Sequence, residues 1–172
     1  MRRLAAFAPL AALALAIALF AGWSLRRGPQ VTPMAMVGKP LPDLVLARLN
    51  AQGGDSLRAV AKGPALVNFY ASWCAPCAAE SPALLALKAE GVRIVGVAYK
   101  DDPADSTAFL KRLGDPYAVR LADRTGTAGI EFGLTGVPET YLIAQDGRVL
   151  AKYTNLDEGE AKALAARLLT AR

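Results

Sequence analysis

Cys74 and Cys77 are the residues of this chain whose spacing most directly suggests covalent chemistry. They are the two cysteines of the 172-residue sequence and stand three apart in Asn-Phe-Tyr-Ala-Ser-Trp-Cys-Ala-Pro-Cys-Ala-Ala-Glu-Ser-Pro. Thiols at that spacing can cycle between a dithiol and a disulfide. The apolar run before them, residues 65–70, reads as a buried central strand, and residues 75–90 carry leucines and alanines at helical spacing. The first thiol therefore falls at a helix N-terminus, where unpaired amides and the helix dipole favour thiolate over thiol. Cys74 is expected to be the nucleophile, and Cys77, a turn later and deeper, the resolving thiol. Pro76 stiffens the first turn without removing a needed hydrogen bond. A purely structural disulfide is the weaker alternative, because so short a loop gains little from cross-linking. A metal centre would need further ligands.

Composition removes most other chemistries. The chain has no histidine, which excludes Ser-His-Asp and Cys-His catalysis, histidine-held zinc and histidine-held haem. Two cysteines cannot complete a Cys₄ zinc or iron–sulfur site. Met34 and Met36, with no histidine or cysteine beside them, do not make a copper site. The net charge is +5, but Arg2, Arg3, Arg26 and Arg27 supply most of it; from Gly38 onward 16 basic residues face 15 acidic ones. The body of the chain thus lacks the basic stripe that nucleic-acid binding requires.

The charge sits around an apolar stretch. Residues 4–25 hold 22 positions without a charge, enough at about 1.5 Å per helical residue to span a hydrocarbon core of roughly 30 Å. A cleaved signal peptide normally has a shorter apolar region, so residues 1–27 are read as a signal anchor, with cleavage after the small residues near Ala21 as the alternative. Residues 28–37 contain two prolines and no amphipathic period, and read as a tether. Residues 38–172 are left as one domain with a sizeable core.

Positioning the cysteines requires a sheet. Residues 43–49, 65–70, 92–99 and 118–121 read as strands, and residues 140–144 and 148–153 as a hairpin around Asp146-Gly147. Residues 50–55 are expected to be a turn and 56–61 a short helix or strand. Helices are expected at 75–90, 103–113, 126–132 and 157–169, with Asp101 and Asp102 at the electropositive start of the second. Strand, helix and strand in alternation give an α/β fold, a central mixed sheet with helices on both faces.

The Trp-Cys-Ala-Pro-Cys segment resembles the thioredoxin superfamily. Pro82 matches the proline that kinks that family's active-site helix, and Val137-Pro138 matches its cis-proline loop, which faces the disulfide and offers backbone groups to an extended substrate. A closer resemblance, over residues 37–158, is to the membrane-anchored thiol:disulfide interchange proteins of cytochrome c maturation, the DsbE/CcmG type. It rests on Val-Gly-Lys-Pro-Leu-Pro-Asp, the cysteine block, and Phe-Gly-Leu-Thr-Gly-Val-Pro-Glu-Thr-Tyr-Leu-Ile with the following Asp-Gly-Arg-Val. Reductases of the TlpA/ResA kind share most of these features.

The resemblance implies a thioredoxin-like domain behind one transmembrane helix, facing the periplasm from the bacterial inner membrane and acting as a monomer. It implies reduction of apocytochrome c, or of a thiol-bearing helper protein, with a membrane thiol-reductant transporter as electron donor. No organic cofactor or metal is called for, because two sulfurs carry both electrons. Where thioredoxin has a buried Asp, this chain has Asn68, which cannot take a proton. The resemblance moves acid/base work to Glu80 and Glu139, and assigns Trp73, Val137 and Pro138 to the substrate side. Two other functions stay open from sequence: a periplasmic thiol oxidase, and a tethered binding module or chaperone using the cis-proline groove. Ala75-Pro76 between the cysteines resembles reducing members of the family more than strong oxidants.

Overall fold

The computed structural model describes residues 35–170 and, singly, Leu13, Ala16 and Leu19. The chain divides into two compact units, Met1–Pro33 and Met34–Arg172. In the first, Leu13, Ala16 and Leu19 are helical and exposed; the rest of the expected span lies outside the described residues. Among the described residues no helix is long and apolar enough to cross a membrane.

The second unit is built on a seven-stranded sheet. In chain order its elements are β1 (Val45–Arg48), β2 (Gly54–Ser56), α1 (Leu57–Val60), β3 (Ala65–Tyr70), α2 (Ala75–Ala89), β4 (Ile94–Tyr99) and α3 (Pro103–Leu113), followed by β5 (Val119–Asp123), α4 (Thr127–Phe132), β6 (Glu139–Ile143), β7 (Val149–Thr154) and α5 (Glu158–Thr170). The strand order is β2-β1-β5-β4-β3-β6-β7. β3, β4 and β5 run parallel at the centre, as strand–helix–strand crossovers demand, and antiparallel pairs complete both sides.

β3 is buried along its whole length, and its alternation divides the core in two. Leu66 and Tyr70 join a cluster with Leu84 and Leu87 of α2, Phe109 of α3 and Leu164 of α5. Val67 and Phe69 face the other way, against Leu57 of α1, Phe132 of α4 and Tyr141 of β6. Helices therefore cover both faces of a mixed sheet, as the sequence pattern requires.

The main local difference lies in residues 50–56. Gly54–Ser56 pairs with β1 as a short edge strand, and the Ser56 hydroxyl then caps α1 by accepting from the Ala59 amide at 3.3 Å. Three residues of mostly turn-forming type carry no periodicity, so only pairing with β1 makes them a strand. Among the described residues two X-Pro bonds are cis, the expected Val137–Pro138 and, unexpectedly, Gly63–Pro64.

Candidate active site

β3 ends at Tyr70, and the chain crosses to α2 through Ala71, Ser72 and Trp73. Cys74 is the N-cap of α2, in extended backbone, and its Sγ accepts from the Cys77 amide at 3.1 Å. The two sulfurs are joined as a disulfide with Cα atoms 5.3 Å apart. Pro76 occupies the first turn, where a missing N–H costs nothing, and Pro82 lies inside the helix, where it removes one backbone donor. When the disulfide is opened, the Cys77 amide and the helix terminus favour a thiolate at Cys74. Both sulfurs belong to buried residues, whereas the neighbouring Trp73 is 61% exposed. Its indole N–H donates to the Lys100 carbonyl at 3.4 Å.

Facing Cys74 is the loop before β6. The Val137 carbonyl oxygen lies 3.4 Å from Cys74 Sγ, and the Val137–Pro138 peptide is cis. A carbonyl only accepts, so in the dithiol state it favours the Cys74 thiol while the Cys77 amide favours the thiolate. The fold thus brings Cys74 and Cys77 together with the Val137–Pro138 loop.

Beneath the cysteines lies a buried polar network that the apolar strand pattern conceals. Asn68, in the middle of β3, donates through Nδ2 to Glu80 Oε1 and to Thr140 Oγ1, both at 2.9 Å. Its Oδ1 accepts from the Tyr117 hydroxyl at 2.7 Å. The second Glu80 oxygen accepts from the Leu156 amide at 2.8 Å. Tyr117 fits because β4 has a glycine beneath it; a Cβ on Gly96 would stand 2.6 Å from its ring. Burial holds the Tyr117 phenol well above its ordinary range, so it remains a donor.

Glu80 is 3% exposed. Burial lifts its carboxyl from 4.5 to about 7 against the pull of the Leu156 amide and the Asn68 side chain, with the Glu160 carboxylate adding to the rise. It stands three residues beyond Cys77 on α2, a spacing that makes side chains neighbours on a helix. A carboxyl poised near neutrality can take or give a proton at working pH.

Glu139 occupies the opposite face of the sheet. Its register partner is Phe69, while Thr140, one residue on, pairs with Asn68 on the Glu80 side. Glu139 is 1% exposed. Its Oε1 accepts from the Thr135 amide at 3.1 Å and from the Thr135 hydroxyl, and pairs with Lys152 Nζ at 2.6 Å. Its Oε2 accepts from the Tyr141 hydroxyl at 2.7 Å. The two expected acids therefore do not meet at one point: Glu80 belongs to the Asn68 network and Glu139 to the loop that carries Pro138.

Asp101 has a role that its place in sequence hides. Asp102 is the N-cap of α3, accepting from the Ala104 amide at 2.8 Å. Asp101 instead turns towards the cysteine loop, accepting from the Ser72 amide at 2.7 Å, the Ser72 hydroxyl at 2.8 Å and the Ser106 hydroxyl at 2.6 Å. It ties the residue two before Cys74 to the start of α3. A helix-start acid and a cross-loop clamp look alike in sequence, and only the approach of β3 to β4 separates them.

A redox pair at a helix N-terminus, opposed by a cis-proline loop, defines a thiol–disulfide exchange site. The family model described as Redoxin matches residues 36–168. The chain belongs to the Redoxin family. It is 40% identical over 125 residues to the thiol:disulfide interchange protein HelX of Rhodobacter capsulatus, covering 72% of this chain and 71% of that one. It is also 40% identical over 148 residues to the thiol:disulfide interchange protein DsbE of Escherichia coli K12, covering 82% and 78%. Among solved structures, a thio-disulfide isomerase of Thermus thermophilus superposes with a TM-score of 0.64 at 27% identity, over 79% of this chain and 98% of that one. The protein is a thiol:disulfide oxidoreductase of the DsbE type with a thioredoxin-like domain.

Proposed function

We propose that the protein is a membrane-anchored, periplasmic reductase of disulfides in apocytochrome c, or in a thiol-bearing helper that carries them. Reduced Cys74 attacks the substrate disulfide as a thiolate, forming a mixed disulfide and releasing the first substrate sulfur as a thiolate that is protonated. Cys77 then gives up its proton and attacks Cys74 Sγ. The second substrate thiol leaves, and Cys74–Cys77 is left oxidised; two electrons have passed to the substrate. A membrane thiol-reductant transporter returns the pair to the dithiol.

The observation that carries the exchange chemistry is the Cys74–Cys77 pair at the start of α2 with the cis Val137–Pro138 loop facing it; the buried Glu80, held by Asn68 and the Leu156 amide, stands one turn beyond Cys77. Resolution of the mixed disulfide needs a base for the Cys77 proton, and Glu80 supplies it at neutral pH. Trp73, exposed beside the pair, and Val137-Pro138, facing Cys74, form the substrate side. The 40% identity to DsbE over most of the chain supports the substrate class, and the charge-free residues 4–25 support the anchor.

The test is to replace Cys77 with serine and offer the reduced variant an oxidised Cys-x-x-Cys-His peptide. Cys74 should be trapped as a stable mixed disulfide with the peptide, and Cys74→Ser should abolish the adduct. Undiminished peptide binding by Cys74→Ser, without any adduct in Cys77→Ser, would point to a binding module instead.

A further inference from the structure

The loop that faces Cys74 is fastened from outside itself. Glu139 reaches back four residues to accept from both the amide and the hydroxyl of Thr135, so one side chain joins the two ends of the segment that contains Val137 and Pro138. A carboxylate only 1% exposed is costly to bury alone. Its charge is met by Lys152, whose Nζ lies 2.6 Å from Glu139 Oε1 and whose side chain is 13% exposed. Lys152 comes from β7, directly opposite Tyr141 in register, and its ammonium lies 6.0 Å from the Tyr141 ring. The Tyr141 hydroxyl in turn donates to Glu139 Oε2 at 2.7 Å. The fastening is thus built on two paired strands, and the loop hangs from it with the Val137 carbonyl 3.4 Å from Cys74 Sγ.

We propose that Lys152 is a positioning residue for disulfide exchange: by pairing with Glu139 it clips residues 135–139 into the shape that presents the Val137 backbone to an extended disulfide substrate. This rests on the functional reading above and extends it to a residue of β7, an element that carries neither cysteine. Lys152 acts through Glu139 and not on the sulfurs. Its loss should therefore impair substrates that dock along the loop and spare those that only touch the sulfur.

The full-length reduced protein is assayed against an oxidised Cys-x-x-Cys-His peptide and against neutral 4,4′-dithiodipyridine, which needs no backbone docking. Lys152→Met should slow the peptide reaction about ten-fold, the scale of one lost charge-assisted contact, while the dithiodipyridine rate stays within about two-fold. Lys152→Arg should restore most of the peptide rate. Thr135→Val, which removes one hydroxyl from the clip without changing charge, should show the same discrimination at about two- to five-fold, and serves if Lys152→Met does not fold. Equal losses on both substrates, no loss on either, or no recovery with arginine would overturn the assignment. A wild-type protein that reacts with dithiodipyridine but is inert towards the peptide would sink the functional reading itself, and the docking role with it.

Discussion

In the oxidised protein, Glu80 should write its own signature on stability between pH 5 and 8. Its carboxyl rises from 4.5 in an ordinary setting to about 7 in the fold, chiefly because it is buried. Below about pH 4.5 it is protonated in folded and unfolded chains alike. Between about 4.5 and about 7 the folded protein keeps the proton and the unfolded chain releases it, so each rise in pH favours unfolding. Above about 7 both states are ionised and the dependence levels off. A difference of about 2.5 units at about 1.36 kcal/mol per unit gives an upper bound near 3 kcal/mol, of which about 2 to 3 fall between pH 5 and 8. Few groups can obscure this window. The sequence has no histidine, and the disulfide removes both thiols from titration. The assay is urea unfolding of oxidised wild type and Glu80→Gln at pH 5, 6, 7 and 8, with the m-value checked for constancy. Glutamine keeps the shape but sets an amide N–H against one of the two donors, a constant loss of about 1–3 kcal/mol. Wild type should be clearly the more stable at pH 5, and the gap should close by about 2 to 3 kcal/mol at pH 8. Parallel curves over the whole range would refute the reasoning.

Three further changes probe the same framework. Asn68→Asp would place a second carboxyl against Glu80, at the position of a 2.9 Å contact; the pair should share a proton, and the pH-dependent stability loss should move above pH 7, as read by the same unfolding series. Gly96→Ala would drive a Cβ to within 2.6 Å of the Tyr117 ring, costing about 1–3 kcal/mol in urea unfolding and displacing the Tyr117 donor from Asn68. Asp101→Ala would strand the Ser72 amide among other donors. It should cost about 3 kcal/mol and raise hydrogen exchange at Ser72 and Trp73 above that of the β3 amides.

The framework of the site was legible because its parts are local. The apolar run at residues 65–70, the cysteines after it and Pro76 in the next turn are contiguous, so one stretch of sequence encodes strand, nucleophile and helix start. The cis Val137–Pro138 bond was legible from its motif, and the Val137 carbonyl lies 3.4 Å from Cys74 Sγ. What escaped depends on register across the sheet. Thr140 and Tyr117 meet Asn68 from 72 and 49 residues away, with no periodicity to announce them. Lys152 reads as an ordinary polar residue on an edge strand until its register opposite Tyr141 brings it to Glu139. The resemblance joins Glu80 and Glu139 as an acidic pair, but alternation along β6 turns Glu139 away from the face where Thr140, Asn68 and Glu80 meet. The short strand at Gly54–Ser56 was hidden by turn-forming residues that become a strand only when β1 pairs with them.

The reduction potential of the Cys74/Cys77 couple, measured by equilibration with defined thiol buffers, tests the proposed direction of electron flow most directly. A reductase supplied with electrons through the membrane requires a value well below the roughly −120 mV of a strong periplasmic oxidant, towards the roughly −270 mV of thioredoxin. A value at the oxidant end would contradict the reductase reading and make disulfide formation the activity of this site.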